Sequence, residues 1–324
     1  MVKKNYQRRL EKTVIWLIVS ILRFLVSLIP RPILLRLGAG IGMIFHFFSR
    51  KRAERAAVLC SRFLTVSRSE ARHYIRLSYC NLGRSLMELL RFHHDSSADL
   101  EQLVEVTGLA YLEQALARGK GVVLVSGHIG NWELAGAWLG KRGYPIKVIG
   151  APQEDPRLTN LLSQLREKFG VQTIWKDSNL RKALECLKNR QILGIMLDQD
   201  GGEKGCLVPF LGLPARTSAG PVRLAQKTGS WIIPFFVVRD RYIPNRHRLE
   251  FFPGFSVEEE GEKSMLKALH HCNNLLSSWI KQFPDQWMYE GWLYERWEPI
   301  SEMEQSRSPR SDLSTRSGRL ELSR

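Results

Sequence analysis

The chain has 324 residues, enough for one large domain or two ordinary ones, and 44% of them are hydrophobic, which argues against a disordered chain. Its 48 lysine and arginine residues outnumber its 32 aspartate and glutamate residues, and the resulting formal charge of +16 implies an anionic partner: nucleic acid, an anionic membrane face or a phosphorylated substrate. The five cysteines are scattered without a C-x-x-C pair, so neither a zinc site nor a disulfide framework is indicated, and we expect reduced, mostly buried thiols.

The first apolar block, at residues 13–29, is the candidate for a membrane anchor. It is slightly shorter than the about 20 residues that a spanning helix needs, and it contains Arg23. A cleavable signal peptide fits poorly, because 30–32 reads P-R-P where a small-residue cleavage site is expected. We predict an uncleaved N-terminal anchor that spans once or lies in the interface, with its flanking basic residues on the cytoplasmic side. The alternative is an apolar core helix.

The next segments suggest where the main domain begins. Residues 33–48 stay apolar and end in F-H-F-F, and residues 49–52 bring a burst of basic charge, which suggests further membrane-edge structure. Residues 53–94 have helical spacing. We therefore divide the chain into an anchor with its basic flank at 1–52, a main domain at 53–299 and a disordered tail at 300–324.

From about residue 103, short apolar runs alternate with helical patterns. Strands are predicted at 121–126, 146–150, 172–175, 192–197, 231–238 and 248–252, and helices at 109–118, 132–142, 156–169, 179–189, 218–228 and 263–282. This alternation predicts an α/β domain whose central sheet is mostly parallel or mixed and is flanked by helices. In such sheets ligands bind at the carboxyl ends of the strands.

The segment 121–133 reads G-V-V-L-V-S-G-H-I-G-N-W-E and ends a predicted strand in a histidine. His128 and Glu133 converge only if the histidine lies in the loop and the glutamate in the following helix. An imidazole held by a carboxylate is a general base, although a structural histidine is the alternative. No G-x-S-x-G motif appears, so direct attack by a substrate hydroxyl is the simpler mechanism, and no H-E-x-x-H cluster indicates zinc.

Three later segments carry further candidates. Asp198 and Asp200 follow the strand at 192–197 and can orient a histidine, bind a metal or only cap a turn. Thr217 or Ser218 can begin a helix whose N–H groups, together with Arg216, would suit an anion, although an ordinary capped helix would look the same. A C-terminal aromatic cluster contains Trp287, Tyr289, Trp292, Tyr294 and Trp297 and reads as core or interface, with Arg296 as a possible ligand contact.

Together these residues resemble the bacterial lipid A biosynthesis acyltransferases, over nearly the whole chain up to about residue 297. The motifs that carry the resemblance are G-H-I-G-N-W-E at 127–133, which matches the family's H-x4-D/E motif, then M-L-D-Q-D-G-G at 196–202, V-P-F-L-G-L-P-A-R-T-S-A-G at 208–220 and T-G-S-W-I-I-P at 228–234. The H-x4-D/E motif is shared with glycerolipid acyltransferases, whose fold the resemblance also implies. The motifs at 196–202 and 208–220 are more specific than the H-x4-D/E motif.

The resemblance implies roles for the site residues. His128 would deprotonate an acceptor hydroxyl, and Glu133 would orient and charge-stabilise the imidazole, without a covalent enzyme intermediate. Asp198 and Asp200 would support the histidine or the substrate, and Asn131, Arg216, Thr217 and Arg296 are the candidate substrate-binding residues. No metal or cofactor is expected.

One departure from the family pattern bears on the acceptor. Many relatives carry W-x-H-R-R-F, whereas residues 292–297 read W-L-Y-E-R-W and keep only the second arginine. If these basic residues hold an acceptor phosphate, Glu295 removes one charge-assisted contact and adds repulsion. We therefore expect an acceptor other than ordinary bis-phosphorylated lipid A.

The resulting hypothesis is an acyltransferase at the cytoplasmic face of the bacterial inner membrane. Its partners would be an acyl carrier protein or acyl-coenzyme A donor, a lipid A precursor or related glycolipid acceptor, and anionic membrane lipids. The alternatives are acylation of a lysophospholipid or another glycolipid, and a membrane-tethered, non-enzymatic binder of nucleic acid. The last alternative predicts a basic motif interleaved with aromatic residues, which the sequence lacks.

Overall fold

The computed structural model describes the backbone of residues 2–92, 94–176, 180–257, 261–289 and 295–297, and their side chains except at 2–9, 97–98 and 295. The helices in these ranges are α1 (Val2–Leu25), α2 (Arg31–Phe48), α3 (Arg50–Leu64), α4 (Arg68–Arg91), α5 (Ser97–Leu103), α6 (Leu109–Ala117), α7 (Trp132–Lys141), α8 (Pro156–Glu167), α9 (Leu180–Lys188), α10 (Gly220–Thr228) and α11 (Glu262–Gln282). The strands are β1 (Val104–Thr107), β2 (Val122–Ser126), β3 (Ile146–Gly150), β4 (Gln172–Trp175), β5 (Ile192–Met196), β6 (Cys206–Phe210), β7 (Leu213–Thr217), β8 (Trp231–Arg239) and β9 (His247–Phe251). The tail at 300–324 and the cluster residues Trp292 and Tyr294 lie outside the described ranges.

Seven strands form one twisted sheet in the order β1-β9-β8-β2-β5-β3-β4. The five strands from β8 to β4 are parallel to one another, and β9 runs antiparallel to β8. The hairpin of β6 and β7 stands apart from this sheet. The mixed α/β prediction is therefore confirmed, and β2 lies in the middle of the sheet, buried at all five positions as a parallel strand covered on both faces requires.

The six predicted strands and the six helices predicted after residue 103 are present, with ends that differ by one or two residues. The helical pattern at 53–94 belongs to two helices, because Thr65 ends α3 in a left-handed conformation (φ 56°) and Ser67 caps the start of α4 with a capping box. The sequence did not indicate β1 or the β6–β7 hairpin. Pro209 lies in β6 and Pro214 in β7, and a proline within an apolar run argues against a strand. All five cysteines are free, and four of them are buried.

Helix α2 packs closely along α4 through three glycines. A Cβ on Gly42 would overlap the carbonyl oxygen of Tyr79, and one on Gly83 would overlap that of Gly38. The backbones approach to a distance that only glycine allows. Helix α2 is therefore fixed to a helix of the main domain.

The helix that meets the length and composition criterion for a membrane span lies further along the chain than the predicted anchor. The block at 13–29 belongs partly to α1, whose basic residues interrupt its apolar character, and α1 ends at Leu25. Among the described residues, only the helix Arg31–Phe48 is both long and apolar enough to cross a bilayer, a criterion of length and composition that core helices also meet. Both helices expose large apolar side chains, among them Ile18, Ile21, Phe24, Ile44 and Phe48.

A buried ionic cluster ties the N-terminal helices to the sheet. The carboxylate of Glu88, on α4, is fully buried and accepts hydrogen bonds from both terminal nitrogens of Arg239 on β8, at 3.1 and 2.6 Å. It also accepts from His247 Nε2 at 3.2 Å, from Asn131 Nδ2 at 2.8 Å and from Arg31 Nη2 at 3.4 Å. Burial alone would raise the pKa of Glu88, but Arg239 and His247 hold it well below its ordinary value.

We expect Glu88→Gln to destabilise the fold by about 3–5 kcal/mol, because the buried guanidinium of Arg239 would lose its counter-charge. The measurement is the free energy of unfolding from a denaturant titration in detergent solution. The matched control is Glu54→Gln, which removes an exposed ion pair with Arg72 and is expected to change stability little. Equal effects of the two substitutions would contradict the central position of Glu88.

Candidate active site

His128 lies in the turn that follows β2 at the carboxyl edge of the sheet. Two glycines make this turn possible. A Cβ on Gly127 would come within 2.8 Å of Leu276 and 3.0 Å of Asp198 Oδ2, and Gly130 has a positive φ of 64° with the carbonyl of Val237 directly beside it. The predicted order of strand, turn and helix is therefore observed, with α7 beginning at Trp132.

Asp198 follows β5, the strand next to β2, and fixes the His128 turn. Its Oδ2 accepts hydrogen bonds from the backbone N–H of His128 at 2.6 Å and from Trp287 Nε1 at 2.9 Å, and its Oδ1 lies 2.8 Å from His128 Nδ1. The side chain is fully buried. One carboxylate thus holds the turn, the imidazole and the C-terminal segment together.

The charge state of Asp198 determines the tautomer of His128. Burial alone would raise the pKa of Asp198, but the nearby His128 and the hydrogen bonds from His128 and Trp287 lower it below its ordinary value. An ionised carboxylate can only accept, so Nδ1 of His128 is the donor and Nε2 is the basic nitrogen of the neutral ring. Trp132 packs edge-on against the ring, with the ring centroids 4.9 Å apart.

Glu133 forms a bidentate ion pair with Arg166 of α8. Nε and Nη2 of Arg166 donate to the two carboxylate oxygens at 2.9 and 2.5 Å, and Nη1 donates to Thr173 Oγ1 at 3.1 Å. Both side chains of the pair are mostly buried. Asp198 is therefore a hydrogen-bonded carboxylate partner of His128, and Glu133 is paired with an arginine that the sequence analysis did not single out.

His128, Glu133, Arg166 and Asp200 line the same cavity, which has a volume of about 520 Å³. The cavity has an exposed rim that includes Gln153 and Lys176. Its interior is lined by buried apolar side chains from α7, α8, the sheet and two connecting segments: Phe92, Ala137, Ile146, Leu165, Val171 and Phe235. A polar group of side chains thus adjoins an apolar interior.

Among the residues that the structure describes, the four predicted substrate-binding residues do not line this cavity. Asn131 is buried, accepts a hydrogen bond from the backbone N–H of Leu134 as the cap of α7 and donates to Glu88. Thr217 ends β7 and does not begin a helix; its buried hydroxyl accepts hydrogen bonds from Asn273 and Arg296. The carbonyl oxygen of Arg216 accepts a hydrogen bond from the backbone N–H of Gly201. Within the described residues, none of these side chains lines the cavity, whereas Ser218 does.

Arg296 is buried beneath the site. Its guanidinium lies 4.1 Å from the centroid of the Phe210 ring and donates to Thr217 Oγ1 at 2.9 Å. Burial lowers the pKa of Arg296 to about 10, against the opposing effects of Asp198 and Asp200, so the side chain is charged at neutral pH. As placed, Arg296 contacts protein groups, and the side chain of Glu295 lies outside the described residues.

Sequence spacing had no means of revealing two residues of the site. Arg166 is separated from Glu133 by 33 residues and stood among many basic residues of a predicted helix. The sequence analysis assigns Trp287 to a core aromatic cluster. Its ring is buried as expected, but its Nε1 donates a hydrogen bond to Asp198. Among the described residues, no three His, Cys, Asp or Glu side chains are arranged to hold a metal ion.

Comparison with known proteins assigns the family. The chain is 32% identical over 162 residues to a phosphatidylinositol mannoside acyltransferase of Mycobacterium tuberculosis (strain CDC 1551 / Oshkosh), a match that covers 48% of this chain and about half (51%) of that relative's length. It is 26% identical to the lipid A biosynthesis lauroyltransferase of Escherichia coli (strain K12), over 87% of this chain and 90% of that protein, and 26% identical to the palmitoleoyltransferase of the same organism, over 85% and 88%. The family model for bacterial lipid A biosynthesis acyltransferases matches residues 1–298. The chain belongs to the bacterial lipid A biosynthesis acyltransferase family.

Proposed function

We propose that this protein transfers a fatty acyl group from a thioester donor, either acyl carrier protein or acyl-coenzyme A, to a hydroxyl of a lipid A precursor or a related glycolipid. The observation that carries the proposal is an imidazole, fixed by a buried carboxylate, on a cavity with an apolar interior. Such an imidazole can accept the proton of a hydroxyl, and such an interior can hold a hydrocarbon chain beside it. Family membership supports the same reaction class.

The proposed reaction is a direct displacement. Nε2 of His128 takes the proton of the acceptor hydroxyl while the oxygen attacks the thioester carbonyl carbon, and a tetrahedral intermediate forms. The C–S bond then breaks, and the leaving thiolate takes the proton back from the imidazolium. Asp198 stabilises the imidazolium while it exists, because the carboxylate lies against Nδ1–H.

We assign the orienting role to Asp198 and a different role to Glu133. The contacts of Asp198 fix both the backbone and the ring of His128. The contacts of Glu133 neutralise Arg166, whose positive charge on the same cavity would otherwise disfavour the imidazolium. In this assignment Glu133 supports His128 through the arginine.

The acceptor and the membrane attachment are parts of the same proposal. The mycobacterial relative is named for phosphatidylinositol mannoside and the Escherichia coli relatives for lipid A, so a glycolipid is the acceptor class common to these names. The glutamate at position 295 favours an acceptor other than bis-phosphorylated lipid A. The exposed apolar side chains of α1 and α2 support attachment to the inner membrane, with the site on the cytoplasmic side.

We expect a purified membrane fraction to add one acyl group to a tetra-acylated lipid A precursor or to a mannosylated phosphatidylinositol. The donors are lauroyl and myristoyl thioesters of carrier protein and of coenzyme A, and product mass is the measurement. His128→Ala is expected to lower the rate at least about 100-fold through loss of the general base. His270→Ala, at an exposed position on α11, is the control. Acylation of lysophospholipid alone, or transfer retained in His128→Ala, would overturn the proposal.

A rescue experiment distinguishes the proposed roles of Asp198 and Glu133. We expect Asp198→Asn to lower kcat by about 1,000-fold or more, because the imidazolium loses its counter-charge and its ring is no longer held in one tautomer. Glu133→Gln is expected to lower kcat by leaving Arg166 unpaired, and the double variant Glu133→Gln/Arg166→Gln should recover part of that loss. If the second substitution restores nothing, Glu133 acts on His128 directly.

Gly136 provides a test of where the acyl chain lies. It lines the cavity, and an added Cβ would meet only Val171 Cγ2, at 4.0 Å. We therefore expect Gly136→Leu to fold and to shift the preference among donors of different chain length toward shorter chains, because the new side chain occupies cavity volume. The measurement is kcat/KM for each donor; an unchanged preference would place the chain elsewhere.

A further inference from the structure

A second cavity, separate from the active site, lies among α2, α3 and α4. This groove has a volume of about 530 Å³ and shares no lining residue with the active-site cavity within the described residues. Its floor contains the buried side chains of Ala53 and Ile75. Its walls carry the ionisable side chains His46, Arg50, Glu54, Arg72, His73 and Arg76.

Among the described residues, the arginines that line the groove outnumber its carboxylates. Glu54 is its single carboxylate among the described residues, and Arg72 occupies both of its oxygens at 3.0 and 2.9 Å. Arg50 lies over the ring of Phe47 at 4.3 Å, and Arg76 Nη2 lies 3.2 Å from His73 Nδ1. In the described part of the chain, neither Arg50 nor Arg76 pairs with a carboxylate.

His46 experiences this positive charge. Burial lowers the pKa of His46, and the charges of Arg76 and Arg50 lower it further. An anion held between the two arginines would offset their effect and raise this pKa. The geometry of the groove therefore suits an anionic group.

The surface beside the groove is apolar. The last turns of α2 expose Ile44 (60%), Phe47 (55%) and Phe48 (81%) immediately before Arg50 begins α3. A ligand at this place meets cationic nitrogens and exposed hydrocarbon together, which matches an anionic lipid and neither a nucleic acid nor a soluble metabolite.

We propose that the groove between α2, α3 and α4 binds the phosphate headgroup of an anionic bilayer lipid, while the end of α2 inserts among the acyl chains. The proposal specifies the membrane attachment that the proposed function includes, and it rests on that attachment. It does not depend on the acyl-transfer chemistry, so each can fail alone.

The test compares binding of the full-length protein to vesicles of phosphatidylcholine with and without phosphatidylglycerol. Arg50→Gln/Arg76→Gln is expected to raise the dissociation constant for the anionic vesicles roughly 30-fold, since each arginine at an anionic surface contributes a factor of about 5. The control is Lys182→Gln/Lys188→Gln, which removes the same charge from exposed positions on α9 and is expected to leave binding unchanged. Equal losses in both double variants, or no loss in either, would overturn the proposal.

Two further measurements identify the source of the phosphate and separate this proposal from the catalytic one. Anionic bicelles should raise the pKa of His46, followed by its imidazole NMR signal, more than inorganic phosphate does at equal ionic strength. An equal response to inorganic phosphate, or loss of acidic carrier-protein binding with vesicle binding retained, would overturn the lipid assignment. Acyl transfer to a detergent-dispersed acceptor should stay unchanged in Arg50→Gln/Arg76→Gln; loss of that transfer would show that the groove serves the reaction and not attachment.

Discussion

The carboxylate of Asp198 is the constraint on which the site depends. It is fully buried, yet it stays ionised because three donors from two separate segments surround it. These donors set the turn after β2, the tautomer of His128 and the position of Trp287. A buried charge of this kind is stable only with its partners in place, so we expect the order of the His128 turn to depend on the contact that Trp287 makes with Asp198.

The His128 turn is held from a second side by the Glu88 cluster. Asn131, three positions after the histidine, connects the start of α7 to Glu88, and Glu88 connects in turn to Arg239 on β8 and Arg31 on α2. The turn is therefore fixed between two buried carboxylates that belong to different parts of the chain. Such a two-sided support suits a base whose nitrogen must be placed within a fraction of an ångström of a reacting hydroxyl.

Local pattern predicted most of the α/β domain, because buried parallel strands and amphipathic helices have distinct periodicities. It did not predict the hairpin of β6 and β7, because each strand contains a proline, a residue that argues against a strand. In the site, spacing paired His128 with Glu133, and the end of a strand offered Asp198 as a residue that can orient a histidine. The structure shows a hydrogen bond between His128 and Asp198, 70 residues apart, and an ion pair between Glu133 and Arg166. Pairings of this range are set by strand order, which a single sequence does not display.

The glycine contact between α2 and α4 also bears on how the protein is built from parts. Because Gly38, Gly42 and Gly83 allow the two backbones to touch, and Arg31 at the start of α2 reaches Glu88, the apolar N-terminal region is part of the framework that holds the His128 turn. An unrelated membrane helix joined at the same place would supply attachment but not these contacts. The N-terminal region is thus not an interchangeable module, and under the proposed function the orientation of the protein on a bilayer and the position of His128 are determined together.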